Sequence, residues 1–155
     1  MDFNTACDIV INTEGGYVNN PADPGGETKY GISKRAYPDE DIVNLTPDRA
    51  KFLYLRDYWT PLQLDSLPDI VRLCIFDAAV NSGVSAATKW LQQSVGAVPD
   101  GKIGPQTSVA IRTTDPYKLV SVLNGLRIKR MISLPGFTVE GKGWMNRVSD
   151  LLVKV

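Results

Sequence analysis

The sequence of 155 residues contains no histidine and only two cysteines. Without histidine, a Ser-His-Asp or Cys-His nucleophilic site and the usual catalytic zinc sites are excluded. Cys7 and Cys74 both fall in apolar helical patterns, which favour buried free thiols, with a bridge between the two as the lesser alternative. We therefore expect neither a metal nor a cofactor.

The chain also has no excess of charge, with 17 basic and 17 acidic side chains. This balance argues against a general nucleic-acid-binding protein. The charges are nevertheless unevenly spread, because residues 1–69 carry 12 acids and 6 bases whereas residues 115–155 carry 3 acids and 7 bases. Such a skew could suit an anionic polymer, although solvated helix faces are its commoner cause.

Long hydrophobic runs are missing, so we expect no stable membrane insertion. Residues 1–11 contain two acids and no base, which is not typical of a signal peptide, and we expect synthesis in a cytoplasm. The apolar content of 43% is sufficient for a core. Together with the length, it predicts one compact domain over residues 1–155.

The first apolar pattern ends at an acid. Phe3, Cys7, Val10 and Glu14 are spaced to share one face of a helix, and Gly15-Gly16 then stops it. Partial burial and the negative helix C-terminus both favour the neutral form of the Glu14 carboxyl. A carboxylic acid that keeps its proton is what cleavage of a glycosidic bond requires. The alternative is a helix-end glutamate pointing into water.

The next stretch contains a second acid, Asp23, nine residues after Glu14, and a hydroxyl, Thr28, five residues later. Four glycines and two prolines lie in the same stretch, which predicts a bent hairpin or clamp loop rather than a helix. We predict Glu14 as the acid of a sugar-cleaving site and this loop as the carrier of its partners.

Thr46-Pro47 predicts the start of a helix, which Trp59-Thr60-Pro61 closes. Tyr58 and Trp59, together with Tyr54, cluster at its end. They pack in a core or form a stacking wall for a sugar ring.

The most apolar helix is predicted over 68–83 and should be the central buried one. Asp77 within it is either bonded for structure or close to the site. Asn81 at its end could reach the cleft. Further helices are predicted over 85–95, after the 98–107 turn, over 115–133 and over 144–153. Residues 136–143 resemble a phosphate loop but lack its Ser or Thr, so they predict a connecting loop.

Two stretches, Glu14-Gly15-Gly16-Tyr17 and Pro21-Ala22-Asp23-Pro24-Gly25-Gly26-Glu27-Thr28-Lys29-Tyr30-Gly31-Ile32, resemble the signature of glycoside hydrolase family 108. Phe76-Asp77-Ala78-Ala79-Val80-Asn81-Ser82-Gly83 is similar to the central helix of that family. Asp100-Gly101-Lys102-Ile103-Gly104-Pro105-Gln106-Thr107 resembles the start of its predicted peptidoglycan-binding region.

The resemblance implies a mainly α, lysozyme-like α+β fold, with a helical bundle around a central buried helix and a small hairpin after the first helix. It implies that Glu14 is catalytic. Phage-type lysozymes also carry an acid nine residues after the Glu and a Thr six residues later. Asp23 matches that acid, whereas Thr28 comes one residue early. Asp23 either activates water or pins the loop, and Thr28 either holds the water or closes the loop. The predicted substrate-binding residues are Tyr17, Tyr30, Tyr58, Trp59 and Asn81.

The implied activity is that of a phage endolysin that cleaves the β-1,4 bond from N-acetylmuramic acid to N-acetylglucosamine in peptidoglycan glycan strands. Residues 1–84 would be the catalytic part and residues 85–155 a helical wall-binding part packed on it. We expect a monomer that reaches the cell wall through a separate pore-forming partner (a holin). The alternatives are a lytic transglycosylase, a non-catalytic wall-binding module and an intracellular interaction protein.

Overall fold

A computed structural model describes residues 1–14, 17–19 and 26–154, with the backbone alone for Asn12, Thr13, Glu14 and Asn19. The chain divides into two compact units, Met1–Trp59 and Thr60–Val155. Within the described residues, no helix is long and apolar enough to cross a membrane. The functional division predicted at residues 84 and 85 is a different one and stays a prediction.

The first unit begins with helix α1, Phe3–Glu14. The backbone N–H of Thr5 donates to Asp2 Oδ1 at 2.8 Å, which caps the start of the helix. Cys7 and Val10 are buried, and Asp8 on the opposite face is exposed. The predicted apolar stripe therefore faces the core as expected.

A small antiparallel sheet follows, with strands β1 (Val18–Asn19), β2 (Glu27–Lys29) and β3 (Ile32–Ser33) in the order β1-β2-β3. Tyr30 and Gly31 form the two-residue turn between β2 and β3, both with positive φ, of 53° and 77°. Two left-handed residues match the twist of the flanking strands. The hairpin predicted after the first helix is confirmed.

Helix α2, Pro47–Tyr54, completes the first unit. Thr46 caps it as predicted, since its side chain accepts from the N–H of Arg49. The chain stays helical after Tyr54, because one wider π-helical turn follows over Leu55–Trp59. The Lys51 ammonium lies 2.6 Å from Asp8 Oδ1, which ties α2 to α1.

The second unit is built around helix α3, Asp69–Ser82, preceded by a 3-10 turn over Leu64–Ser66. Residues 73–79 of α3 are all buried. Helices α4 (Val84–Ser94) and α6 (Pro116–Ile132) pack on α3 and on each other. The predictions of a central buried helix and of a mainly α, lysozyme-like fold are confirmed.

Helix α5, Pro105–Thr113, follows a loop that Gln92 holds in place. Gln92 Nε2 donates to Asp100 Oδ1 at 2.7 Å and to the carbonyl of Lys102 at 2.9 Å. Gln92 Oε1 accepts from the N–H of Gly101 at 2.8 Å. The buried amide of Gln92 therefore forms hydrogen bonds to three groups of a loop that is not part of a helix or strand.

Helix α7 runs over Phe137–Leu152, so the connecting loop predicted over residues 136–143 is wrong. Its glycines are poor helix formers, and this weakened the helical signal. Gly141 is buried, and a Cβ at that position would lie 2.8 Å from the Phe137 ring. Position 141 therefore requires glycine, because the Phe137 ring occupies the space that a side chain would need.

Candidate active site

Glu14 is the last residue of α1, directly before the segment that leads into the sheet. Its backbone position matches the prediction, and its side chain is not among those described. Asp23 lies outside the described residues. The catalytic roles of both carboxylates therefore stay predictions.

Thr28 is the middle residue of β2 and pairs with Val18 on one side and Ser33 on the other. Side chains alternate between the faces of a strand, so these three share one face. That face is the more open one, since Val18 is 52% exposed whereas Ile32, on the other face, is fully buried. The predicted catalytic hydroxyl therefore lies on the accessible side of the sheet.

Tyr17 precedes β1 and is 44% exposed. Its hydroxyl donates to Glu27 Oε1 at 3.4 Å, which connects the start of β1 to β2. Glu27 was not among the sequence-predicted site residues. Its position next to Thr28, within the matching stretch, is the signal that could have identified it.

Tyr30 occupies the first position of the β2–β3 turn with φ 53°, a conformation that costs a bulky residue about 1–3 kcal/mol. The hydroxyl of Tyr54, a fully buried residue, donates to the carbonyl of Tyr30 at 2.8 Å. The Lys29 ammonium lies 5.6 Å from the centre of the Tyr30 ring. The core of the first unit thus fixes the turn that presents Tyr30.

Trp59 is 1% exposed, and its ring meets that of Phe3 edge-on at a centroid distance of 5.2 Å. This burial favours the core-packing interpretation of Trp59, because neither face of the ring is open to a sugar. Tyr58 is half-buried and lies 5.6 Å from the Tyr54 ring at a tilt of 50°. Of the two adjacent aromatics, Tyr58 is the one that retains accessible surface.

Asp57 lies in the π-helical turn beside these rings. Arg56 donates to both of its oxygens, at 2.6 and 2.7 Å, and the Tyr37 hydroxyl donates at 3.0 Å. The hydrogen bonds from Arg56 lower the pKa of Asp57. A carboxylate held in its charged form is a poor general acid, so Asp57 does not compete with Glu14 for that role.

Asn81 belongs to the second unit, in the last turn of α3. It lines a pocket of about 310 Å³ together with Trp90, Arg130 and Trp144. Its Oδ1 accepts from Arg127 Nη2 at 3.3 Å. The predicted contact of Asn81 with substrate stays a prediction. Sequence reasoning did not select the two tryptophans and the arginine beside it, which come from separate helices.

Among the described residues, no group of three or more His, Cys, Asp or Glu side chains could hold a metal ion. The chemistry available at the described positions is that of carboxyls, hydroxyls and aromatic rings. A glutamate at a helix end, followed by a short hairpin in a mainly helical chain, is the arrangement that the sequence predicted for a lysozyme-like glycoside hydrolase.

Comparison with known proteins gives the family. A family model described as glycosyl hydrolase 108 matches residues 7–83. A solved structure of SagA from Brucella abortus is 34% identical, with a TM-score of 0.91, and the match covers 98% of this chain and 92% of that one. A search of the curated proteins found no match. The chain belongs to the glycosyl hydrolase 108 family, which confirms the resemblance found in the sequence.

The protein is therefore a glycoside hydrolase, and its family membership supports peptidoglycan as the substrate class. The matched family model ends at Gly83. The wall-binding function predicted for residues 85–155 accordingly stays a prediction.

Proposed function

We propose that the protein is an N-acetylmuramidase that hydrolyses the β-1,4 bond from N-acetylmuramic acid to N-acetylglucosamine. The observation that carries this proposal is the position of Glu14 in a chain of this family. Glu14 ends α1 and directly precedes the segment leading into the hairpin, whose open face bears Thr28. One acid and one hydroxyl thus come from the two elements that the Gly-rich segment joins.

In the proposed reaction, protonated Glu14 gives its proton to the glycosidic oxygen while the bond from the anomeric carbon to that oxygen breaks. The C-terminal pole of α1 disfavours negative charge and so helps Glu14 retain this proton. Water then adds to the oxocarbenium-like centre and gives up a proton, which passes to Asp23 if that carboxylate is the base and otherwise to solvent. Asp23 activates this water or only pins the loop, and Thr28 holds the water.

The decisive variant is Glu14→Gln, which keeps the size of the side chain and removes the transferable proton. We expect the release of reducing ends from purified peptidoglycan to fall by at least about 10²-fold, with an unchanged circular dichroism spectrum. Glu140→Gln, at an exposed position of α7, is the matched control and should retain activity. Full activity of Glu14→Gln would remove Glu14 from the mechanism.

The products identify the reaction. Mass spectrometry should find N-acetylmuramic acid at the reducing ends with one added water. Anhydro ends would instead identify a lytic transglycosylase, and N-acetylglucosamine at the reducing ends would identify cleavage of the other bond.

We further propose that the enzyme acts as a phage endolysin in bacterial cell-wall lysis, with residues 85–155 contributing to wall binding. Expression in a host should lyse the cells only when a separate pore-forming protein is co-expressed. Lysis without that partner would contradict the need for a holin.

A further inference from the structure

The pocket beside Asn81 combines side chains that the core of a helical bundle does not need. Asn81 comes from α3, Trp90 from α4, Arg130 from α6 and Trp144 from α7. Both indoles are half-buried and Arg130 is exposed. The volume of about 310 Å³ lies at the lower end of the range of small-molecule sites, about 300–1,000 Å³.

A buried ion cluster lies one helical turn from this pocket. Asp77 pairs with Arg127 and with Arg147, both at 2.7 Å. One carboxylate thus faces two guanidinium groups, one from α6 and one from α7. Asn81 follows Asp77 by four residues, and Arg130 follows Arg127 by three, so each pair shares a helix face.

The same relationship holds on the third helix, because Trp144 precedes Arg147 by three residues. Side chains three or four residues apart lie one above the other on a helix. On each of the three helices, a residue of the pocket is therefore one helical turn from a member of the ion cluster. Nε and Nη1 of Arg127 are buried without a hydrogen bond to the described part of the chain.

The cluster also fixes the orientation of the Asn81 amide. Arg127 Nη2 can only donate, so the atom 3.3 Å from it must be the oxygen of Asn81. The Ser82 hydroxyl donates to the same oxygen at 3.2 Å. Asn81 Nδ2 is therefore the atom that remains to donate to a ligand.

We propose that this pocket binds an N-acetylated amino sugar that carries a carboxylate. The indoles accept the apolar faces of the sugar and its acetyl group. Arg130 and Asn81 Nδ2 are donors for carboxylate and carbonyl oxygens. No carboxylate side chain lines the pocket among the described residues. This inference rests on the proposed function, because peptidoglycan supplies such a sugar as N-acetylmuramic acid and its peptide-substituted form.

Three ligands test this chemistry on the full-length protein by calorimetric titration. N-acetylglucosamine lacks the carboxylate, N-acetylmuramic acid carries it on the ring substituent, and muramyl dipeptide carries it on the peptide. We expect both acids to bind more tightly than N-acetylglucosamine. The tighter of the two acids identifies the source of the carboxylate.

Arg130→Gln should weaken binding of the acids by about five- to tenfold and should remove their advantage over N-acetylglucosamine. Lys129→Gln is the matched control, since it removes the same charge from the neighbouring exposed position of α6 without touching the pocket. Trp90→Ala should weaken all three ligands together. Absence of binding, or equal affinities of the Arg130 and Lys129 variants for the acids, would overturn the proposal.

These ligands contain no bond between sugars, so the titration is independent of hydrolysis. An enzyme that cleaves peptidoglycan but binds none of the three would lose this inference and keep its proposed function. Binding of the two acids without cleavage of peptidoglycan would support this inference and contradict the proposed function.

Discussion

Arg127 and Asp77 form an ion pair of 2.7 Å in which the two side chains are 0% and 3% exposed. Arg147 contacts the other oxygen of Asp77 through Nε and Nη2, at 2.9 and 2.7 Å. Burial lowers the pKa of Arg127, and the charge of Asp77 opposes this effect. The pairs join α3, α6 and α7, so of the two roles open for Asp77 the structural one is favoured.

Asp77→Asn should lower the free energy of unfolding by about 3–5 kcal/mol, because two largely buried guanidinium groups lose the carboxylate that pairs with both of them. Urea denaturation followed by circular dichroism measures this. Asp150→Asn, at an exposed position of α7, should stay within about 0.5 kcal/mol. An unchanged midpoint for Asp77→Asn would contradict the role of this cluster in stability.

Tyr54→Phe should destabilise the fold by about 1 kcal/mol, since it leaves the Tyr30 carbonyl without the hydroxyl that bonds it at 2.8 Å. The ring itself and its packing are retained. Thermal unfolding measures the loss. Activity should also fall if the hairpin must be held in place, and a variant with wild-type stability would disprove the contribution of this bond.

Tyr30→Asn should stabilise the protein by up to about 1 kcal/mol, because asparagine adopts the left-handed conformation at lower cost than tyrosine. The same change should lower peptidoglycan hydrolysis if the Tyr30 ring binds substrate. Stability and activity are measured on one preparation. A stabilised variant with full activity would remove Tyr30 from the substrate-binding set.

Thr28→Val keeps the β-branched shape that suits the middle of β2 and removes the hydroxyl. We expect hydrolysis to fall by about 10²-fold with little change in the melting temperature. Thr28→Ser restores a hydroxyl and should recover much of the activity. If both variants keep the activity of the wild type, Thr28 only closes the loop.

Both cysteines are free and buried, as the sequence predicted. Burial raises the pKa of Cys7 to about 12 and that of Cys74 to about 11. Both thiols should therefore react with a thiol reagent at pH 8 only after the protein is unfolded. Rapid modification of the native protein would contradict this burial.

The raised pKa values of the two thiols also make the stability of the protein depend on pH in the alkaline range. Unfolded thiols ionise near pH 8.5, whereas the folded ones keep their protons to about pH 11 and 12. Stability should therefore fall as pH rises above about 9 and level off beyond the folded pKa values. A variant with Cys7→Ala and Cys74→Ala should show a smaller alkaline loss than the wild type, and equal losses would disprove the assignment.

The sequence alone determined the helices whose starts are marked by a capping side chain and a proline. Thr46-Pro47 and Asp115-Pro116 start α2 and α6 as predicted, because a capping side chain followed by proline satisfies the free N–H groups at a helix start. The spacing of Phe3, Cys7 and Val10 was sufficient to place Glu14 at the end of α1. Its turn-rich continuation, together with the resemblance to family 108, was sufficient to indicate the class of enzyme.

Tertiary structure decided what local signals could not. The glycines of α7 favour a loop by propensity, and packing of α7 on α6, with Val148 and Leu151 buried, overrides them. An indole suits a core and a sugar-binding wall equally well by its chemistry, and only the neighbours of Trp59 assign it to the core. The pocket of Asn81, Trp90, Arg130 and Trp144 joins positions far apart in the chain, because the packing of four helices, rather than any spacing along one of them, brings these side chains together.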